Sequence, residues 1–406
     1  MKILQVNQFY YPRGGADKYF LDLTKTLTEA GHQVAVFSMA HPKNWPSPWS
    51  SYFVSRVSFN EGNLVDKLKT PGRVLYSREA KMKFARLVRD FQPEIIHLHN
   101  IYHHISPSIL TVAKEYKIPV VLHLQDYKLI CANHSLFTKG AICERCRPDK
   151  YYECLKNKCI KNSWAGSALA VAEMYLHHSI LKIYGKNVDW YIAPSQFMKD
   201  KVVSFGHPAE NISVIFNPYN AEISTATFPE ENQPDAPYLL YFGRLSLEKG
   251  LETFIRAAAQ SGQKAKIVGE GGEEASLRKL ADQLKAPVEF IGFKNNQELR
   301  PIIQGAKAVV IPSIWDENMP LSLMEAWSLG KVVIASRIGG LPEAIQDNKN
   351  GLLFNPGDAA DLTRKIRQLD KIDCLAISRA AKKTVADFSP EKNLQQVLAV
   401  YQRLLK

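Results

Sequence analysis

No stretch of the sequence reaches the ~18–20 consecutive apolar residues of a membrane-spanning helix. A secretory leader pattern is missing as well, since Met1-Lys2 leads into only a short apolar stretch, Ile3 to Val6. The expectation is a cytoplasmic protein. Neither half opens with G-x-G-x-x-G, which removes the main ground for a dehydrogenase. RNA-binding motifs and aromatic stacking platforms are lacking, which argues against nucleic acid as a partner despite a net charge of +12. Cysteine is scarce outside one segment: Cys131, Cys143, Cys146, Cys154 and Cys159 are close together, and only Cys374 lies elsewhere. Surplus charge is scarce in the second half. Residues 1–217 hold 28 Lys/Arg against 17 Asp/Glu, whereas 218–406 hold 24 against 23. An anionic partner should therefore meet the first half.

What is present is an ordinary globular composition, 46% hydrophobic and 23% charged, over 406 residues. That excludes disorder, collagen and coiled coil, and the length suits two domains of roughly 200 residues. The chain opens with the strand pattern KILQV, a glycine turn at Gly14-Gly15, a helical stretch stopped by Gly31, and a second strand, QVAVFS. Short β-branched runs recur at 94–100, 120–126 and 189–195, as buried parallel strands do. A polar, proline-bearing stretch over 216–236 reads as a linker. After it come YLLYFG, AKIVGEG, VEFIGF, AVVIPS and KVVIAS, each ending at a loop, and an amphipathic helix from about 388. The expected fold is α/β, with two doubly wound parallel-sheet, Rossmann-like domains at 1–215 and 237–387. Such sheets bind ligands at the carboxyl ends of their strands, so the site is expected in the cleft between the domains.

The densest chemistry lies between 243 and 340. In Gly243-Arg244-Leu245-Ser246-Leu247-Glu248-Lys249-Gly250 two cations five apart on one turn could reach a common diphosphate. Two solvated cations are the competing reading. Gly269-Glu270-Gly271 and Gly292-Phe293 end the next two strands, and small residues there would let a flat ligand approach. In Glu317-Asn318-Met319-Pro320-Leu321-Ser322-Leu323-Met324-Glu325, Pro320 suits the first helical position and Gly330 the stop. The first-turn N–H groups near Leu321 would then form an anion site. Glu317 and Glu325 place one carboxylate in the loop and a second on the helix.

Together with Gly14-Gly15-Ala16, Gly339-Gly340 and Gly351-Leu352-Leu353, these motifs resemble the family 4 (group 1) retaining glycosyltransferases of GT-B fold, over nearly the whole chain. The resemblance implies a metal-independent enzyme, with no cofactor required for catalysis. It would move a sugar from a nucleotide-sugar donor to a glycan or lipid-linked acceptor, in cell-surface polysaccharide biosynthesis. It also implies that Arg244 and Lys249 bind the donor diphosphate, Glu325 the ribose hydroxyls and Glu317 the sugar. Contacts around Asn318, Met319, Pro320 and Leu321 would select that sugar, and Gly269, Glu270, Gly292 and Phe293 would border the base. The Gly14-Gly15 loop would close over the donor, and the last helix would cross back to the first domain.

One position departs from the family pattern: Gln125 stands where many relatives carry a His facing the sugar. Gln hydrogen-bonds but does not titrate, which leaves Asp126 as the candidate base and a catalytically impaired glycan-binding protein as an alternative. His97, His99, His103 and His104 read as packing or cleft-lining residues. Cys143-x2-Cys146 and Cys154-x4-Cys159 could form a structural zinc site pinning an insertion at about 131–162, and a basic zinc-containing nucleic-acid binder is the weaker competing class. Lys67 to Arg89 carries eight Lys/Arg against one Glu, with Phe84, Leu87, Val88 and Phe91 at helical spacing. This suggests peripheral contact with an anionic inner-membrane face; a helix packed on its own sheet is the alternative.

Overall fold

A computed structural model describes residues 1–56, 64–219 and 238–406. Most of the expected linker, from residue 220 on, lies outside the described residues, as do 57–63. The chain divides into two compact units. The first comprises Met1–Leu136, Glu144–Asn217 and Pro390–Lys406, and the second Phe137–Cys143 and Pro218–Ser389.

The first unit is built on strands β1 (Lys2–Val6), β2 (Gln33–Phe37), β3 (Ile95–Leu98) and β4 (Val120–His123). Next in chain order comes a short hairpin that belongs to the second unit, β5 (Phe137–Thr138) and β6 (Ala141–Ile142), which turns through Lys139 and Gly140 at φ 52° and 80°. Strands β7 (Trp190–Ala193) and β8 (Ile212–Val214) complete a parallel sheet of order β2-β1-β3-β4-β7-β8. Every residue of β3 and β4 is buried, because helices cover both faces of such a sheet. Helix Gly15–Glu29 lays Tyr19, Leu23 and Leu27 on it, and Gly31, at φ 82°, lets the chain turn into β2.

Helix Arg78–Phe91 buries Phe84, Leu87 and Val88, and Phe84 packs edge-on to Phe37 of β2. This corrects the reading of that stretch as a membrane-facing amphipath, since its apolar face is already used in the core. Lys128 and Glu173 form a wholly buried ion pair of 2.7 Å that no sequence pattern announced. Helix Pro390–Leu405 also belongs to the first unit, where Val397, Val400 and Tyr401 join Ile3 and Tyr19.

The second unit contains β9 (Tyr238–Phe242), β10 (Ala265–Val268), β11 (Val288–Gly292), β12 (Ala306–Ile311), β13 (Val333–Ser336) and β14 (Leu352–Phe354). They pair in parallel in the order β11-β10-β9-β12-β13-β14. The winding direction reverses between β9 and β12, as it does between β1 and β3 in the first sheet. In open α/β sheets ligands bind at the carboxyl ends of the strands beside such a switch point. Strands β8 and β14 were not anticipated: each is a three-residue edge strand, too short to carry a period.

Candidate functional site

In the second unit the loops leaving β9 and β12 flank the switch point, and they are stitched together. Gly250 adopts φ 66°, and a Cβ there would stand 2.0 Å from the Pro312 carbonyl oxygen. The Ile314 N–H donates to the Glu248 carbonyl at 3.0 Å. Only glycine permits that approach and that dihedral together. The result brings Lys249 against Glu317: its Nζ lies 2.5 Å from the Glu317 Oε1, which also accepts from the Ser313 hydroxyl at 2.7 Å. Lys249 sits over the Trp315 ring, 5.3 Å from its centroid. From the other side Gly339, at φ 61°, leaves room for the Glu317 backbone, and the Gly340 N–H donates to the Glu317 carbonyl at 2.7 Å.

Glu317 is 4% exposed. Burial pushes its carboxyl up, but the Lys249 charge and the hydrogen bonds from Lys249, Ser313 and Trp315 outweigh it. The group is held below the usual carboxylate range. A fixed, ionised carboxylate and a cation therefore share the strand ends. Arg244 is placed differently. It is largely exposed and donates to Glu248 at 3.3 Å, while its own carbonyl accepts from the Tyr241 hydroxyl at 2.8 Å.

Helix Leu321–Ser328 begins just beyond this knot. Pro320 is its N-cap at ψ 133°, not its first helical residue, because the chain enters from an extended loop and turns one residue later than its proline suggests. The Leu323 N–H already donates to the Pro320 carbonyl at 3.1 Å. By helix geometry the N–H groups of Leu321 and Ser322 have no partner within the helix. Glu325 is half-buried one turn in. Its charge reaches the Tyr219 hydroxyl, whose pKa burial first, and then Glu325, raise. Met319 is buried, Asn318 and Leu321 are half-buried, and Glu270 and Phe293 are exposed.

The glycines ending β9 and β10 have a reason other than ligand approach. A Cβ on Gly269, at φ 136°, would lie 1.9 Å from the Gly243 carbonyl oxygen, and one on Gly271 would lie 2.0 Å from that of Leu245. The two loops press backbone to backbone, with the Leu245 N–H donating to the Glu270 carbonyl at 2.9 Å. Gly292 differs, for a Cβ there would meet nothing within 4 Å.

In the first unit, Gly14 is the N-cap of helix Gly15–Glu29, and both glycines are exposed. A knot the sequence did not show fastens the loop before them. The Asn7 amide donates to the Phe9 carbonyl and to Asp17 Oδ1, both at 2.9 Å, and the Asn7 Oδ1 accepts from the Asn100 N–H at 3.1 Å. At the ends of β3 and β4, His97, His99 and His123 stack with planes within 16–21° of one another. One ligand nitrogen of each lies within 4.8 Å of the others. His97 Nδ1 meets the Tyr401 hydroxyl at 2.6 Å, His99 Nε2 the Gln5 Oε1 at 2.8 Å and His123 Nε2 the Asn217 Oδ1 at 3.1 Å. Burial lowers all three, His123 to about 3, so the imidazoles are neutral. Imidazole lone pairs lie in the ring plane, so near-parallel rings direct them side by side instead of at one ion. The stack reads as core. Gln125 Nε2 stands 3.5 Å from His99 Nδ1 at its edge. Asp126 accepts from the Lys128 N–H at 2.8 Å, and burial raises its carboxyl.

Comparison with known proteins places this geometry. Residues 13–223 match the Glycosyltransferase Family 4 model, and residues 223–384 that of Glycosyl transferases group 1. An uncharacterised 42.6 kDa protein in the cps region of Klebsiella pneumoniae is 28% identical over 362 residues, 84% of this chain and 87% of its own. The amylovoran biosynthesis glycosyltransferase AmsK of Erwinia amylovora is 30% identical over 52% of this chain and 55% of that protein. The putative colanic acid biosynthesis glycosyltransferase WcaL of Salmonella typhimurium is 28% identical over 53% and 57%. The chain thus spans little more than half of these two transferases. Among solved structures, Anabaena Alr3699/HepE in complex with UDP superposes with a TM-score of 0.70 at 19% identity, over 99% of this chain and 100% of that one; at that identity the likeness shows the fold.

Proposed function

Because the chain belongs to glycosyltransferase Family 4, with a group 1 C-terminal domain, we propose that it transfers a sugar from a nucleoside diphosphate donor with retention of configuration, in building a surface polysaccharide. The observation that carries this reading is the Lys249–Glu317–Ser313 knot at the switch point of the second sheet, beside the open end of helix Leu321–Ser328. UDP is bound in the Anabaena HepE structure, and WcaL and AmsK are named for colanic acid and amylovoran synthesis.

As the glycosidic bond to the donor breaks, negative charge builds on the β-phosphate. Lys249, Arg244 and the Leu321 and Ser322 N–H groups are assigned to stabilise it. Fixed groups cost no reorganisation when the charge appears, so we expect turnover to survive chelation of divalent ions. Glu317 holds Lys249 in place and takes a sugar hydroxyl, while Glu325 takes the ribose. The acceptor, a glycan or lipid-linked sugar, attacks on the face that the diphosphate leaves. Gln125 cannot take its proton; Asp126, whose carboxyl burial raises, is the assigned base. Attraction to an anionic membrane rests on the charge surplus of the first half alone, and salt should abolish vesicle binding.

Thermal stabilisation by UDP-, GDP-, ADP- and dTDP-sugars tests the donor reading. One nucleotide should raise the melting temperature of the chain, and Arg244→Ala and Glu325→Ala should abolish the shift. A shift that survives both variants would remove the donor from this site. Turnover of the stabilising donor separates a transferase from a glycan-binding relative, the reading that Gln125 favours.

A further inference from the structure

Helix Trp164–Met174, which continues as a π-helix over Tyr175–Ile180, is turned inside out. Its buried polar residues, Ser167, Glu173 and His177, all have partners. The Ser167 hydroxyl accepts from the Ile160 N–H at 3.1 Å, Glu173 pairs with Lys128 at 2.7 Å, and His177 Nε2 donates to the Leu75 carbonyl at 2.6 Å. Cys146 and Cys154 of the preceding segment pack with its buried Ala170 and Met174, and among the described residues no three sulfurs of that segment come within 4.8 Å of one another. Every exposed residue of the helix is apolar: Trp164, Ala165, Ala168, Ala172 and Ile180. Trp164, Ala168, Ala172, half-buried Leu176 and Ile180 follow one another at intervals of four, which makes them one stripe. Trp164 and Ile180, 57% and 68% exposed, project from its two ends, roughly 24 Å apart along the axis. A surface helix ordinarily turns its apolar stripe to the core. An apolar face left in water marks a site of interaction.

Charge says what meets it. From Cys154 to Val188 the chain carries Lys156, Lys158, Lys161, Lys182 and Lys186 against a single carboxylate, Glu173, which is buried and already paired. Lysines therefore stand at both ends of the stripe, 158 and 161 before Trp164 and 182 and 186 after Ile180. The Lys158 Nζ lies 5.6 Å from the Trp164 ring centroid, and the Lys156 Nζ 4.6 Å from that of exposed Tyr152. An ammonium beside an aromatic ring suits the boundary between lipid chains and headgroups. A second copy of the chain does not suit this face. About a two-fold axis the helices would pack parallel or antiparallel, and either way lysines would meet lysines.

We propose that the stripe from Trp164 to Ile180 is the face on which the chain lies against an anionic lipid surface. The helix lies in the plane of the headgroups, with its apolar side chains just below them and its lysines on their phosphates. The charge surplus of the first half attracts without orienting, and this helix supplies the orientation. From the transferase reading the proposal takes only the lipid-linked acceptor; the contact itself needs neither donor nor turnover.

The test is co-sedimentation of the full chain with phosphatidylglycerol–phosphatidylcholine vesicles at low salt, without donor. Binding is expected there and not with phosphatidylcholine alone. Ala168→Glu keeps a good helix former at an exposed position and should weaken binding about tenfold, by setting a carboxylate on the contact face. The same substitution at exposed Ala30, after helix Gly15–Glu29, should stay within about twofold of the wild type, because the surface potential fades within a Debye length. Brominated acyl chains should quench the wild-type tryptophan fluorescence, and Trp164→Phe should lose that quenching. No binding to the anionic vesicles, equal weakening by the two glutamates, or undiminished quenching in Trp164→Phe would overturn the proposal. So would a wild-type dimer that Ala168→Glu dissociates, which would give the face to a second copy. Because donor is absent throughout, failure here leaves the transferase reading standing.

Discussion

Replacing Lys249 with Met removes the cation from a buried pair and leaves the Glu317 carboxylate behind. The two side chains are 19% and 6% exposed and 2.5 Å apart, so solvent screens the pair little. Breaking such a pair from one side costs about 3–5 kcal/mol, because the remaining charge is uncompensated. At about 1.4 kcal/mol per decade, amide exchange of β9 and β12 should accelerate by roughly two to nearly four decades at pH 7, provided those strands exchange through opening of the whole unit.

The pH dependence should also change sign. In the wild type the folded-state pKa of Glu317 is lowered, so the pair's contribution is present above the unfolded value of about 4.3 and is lost as pH falls through the folded value. In Lys249→Met, burial without a cation raises the carboxyl. Its contribution is then most favourable below about 4.3 and declines as pH rises through the new folded value. Adding Glu317→Gln should remove that slope and recover most of the loss, since Gln accepts from Ser313 without a charge. A loss under about 1 kcal/mol that does not vary with pH would refute the reasoning and show that water reaches the carboxylate.

Three further changes test the frame. Lys128→Met should destabilise the first unit by about 3–5 kcal/mol, and Glu173→Leu added to it should restore much of this, because the pair is buried throughout; urea unfolding measures both. Gly269→Ala should cost more than about 1 kcal/mol, since the added carbon meets the Gly243 carbonyl at 1.9 Å and φ is 136°. Gly272→Ala, with nothing within 4 Å, should stay within about 0.5 kcal/mol by the same measurement.

Much of the frame was legible because parallel strands buried on both faces leave continuous apolar runs. The strands through 2–6, 94–100 and 306–311 announced themselves that way. Edge strands β8 and β14 did not, being three residues long. In the site, charge and glycine marked the Lys249 and Glu317 loops, but not their direct contact, which depends on how Gly250 and Gly339 let backbones approach. The amphipathic pattern of 81–91 was real and pointed inward to Phe37. Periodicity gives a face without saying what covers it.

The histidines were least legible, because a His inside an apolar run has the same pattern whether it is a ligand, a base or core. Their burial makes the difference measurable. His97, His99 and His123 have folded-state pKa values lowered by burial, so the unfolded chain binds protons that the folded chain refuses. Their stability contribution is whole above the unfolded value of about 6.5 and is lost as pH falls toward the folded values. Well below 6.5 each should contribute a slope of about 1.4 kcal/mol per pH unit. His123→Asn should therefore unfold with a shallower slope between pH 6 and 5 than the wild type, by roughly that amount, whatever it costs at neutral pH. Parallel slopes would mean that His123 takes up its proton in the folded state, and that the stack is wet and open to a role in the chemistry.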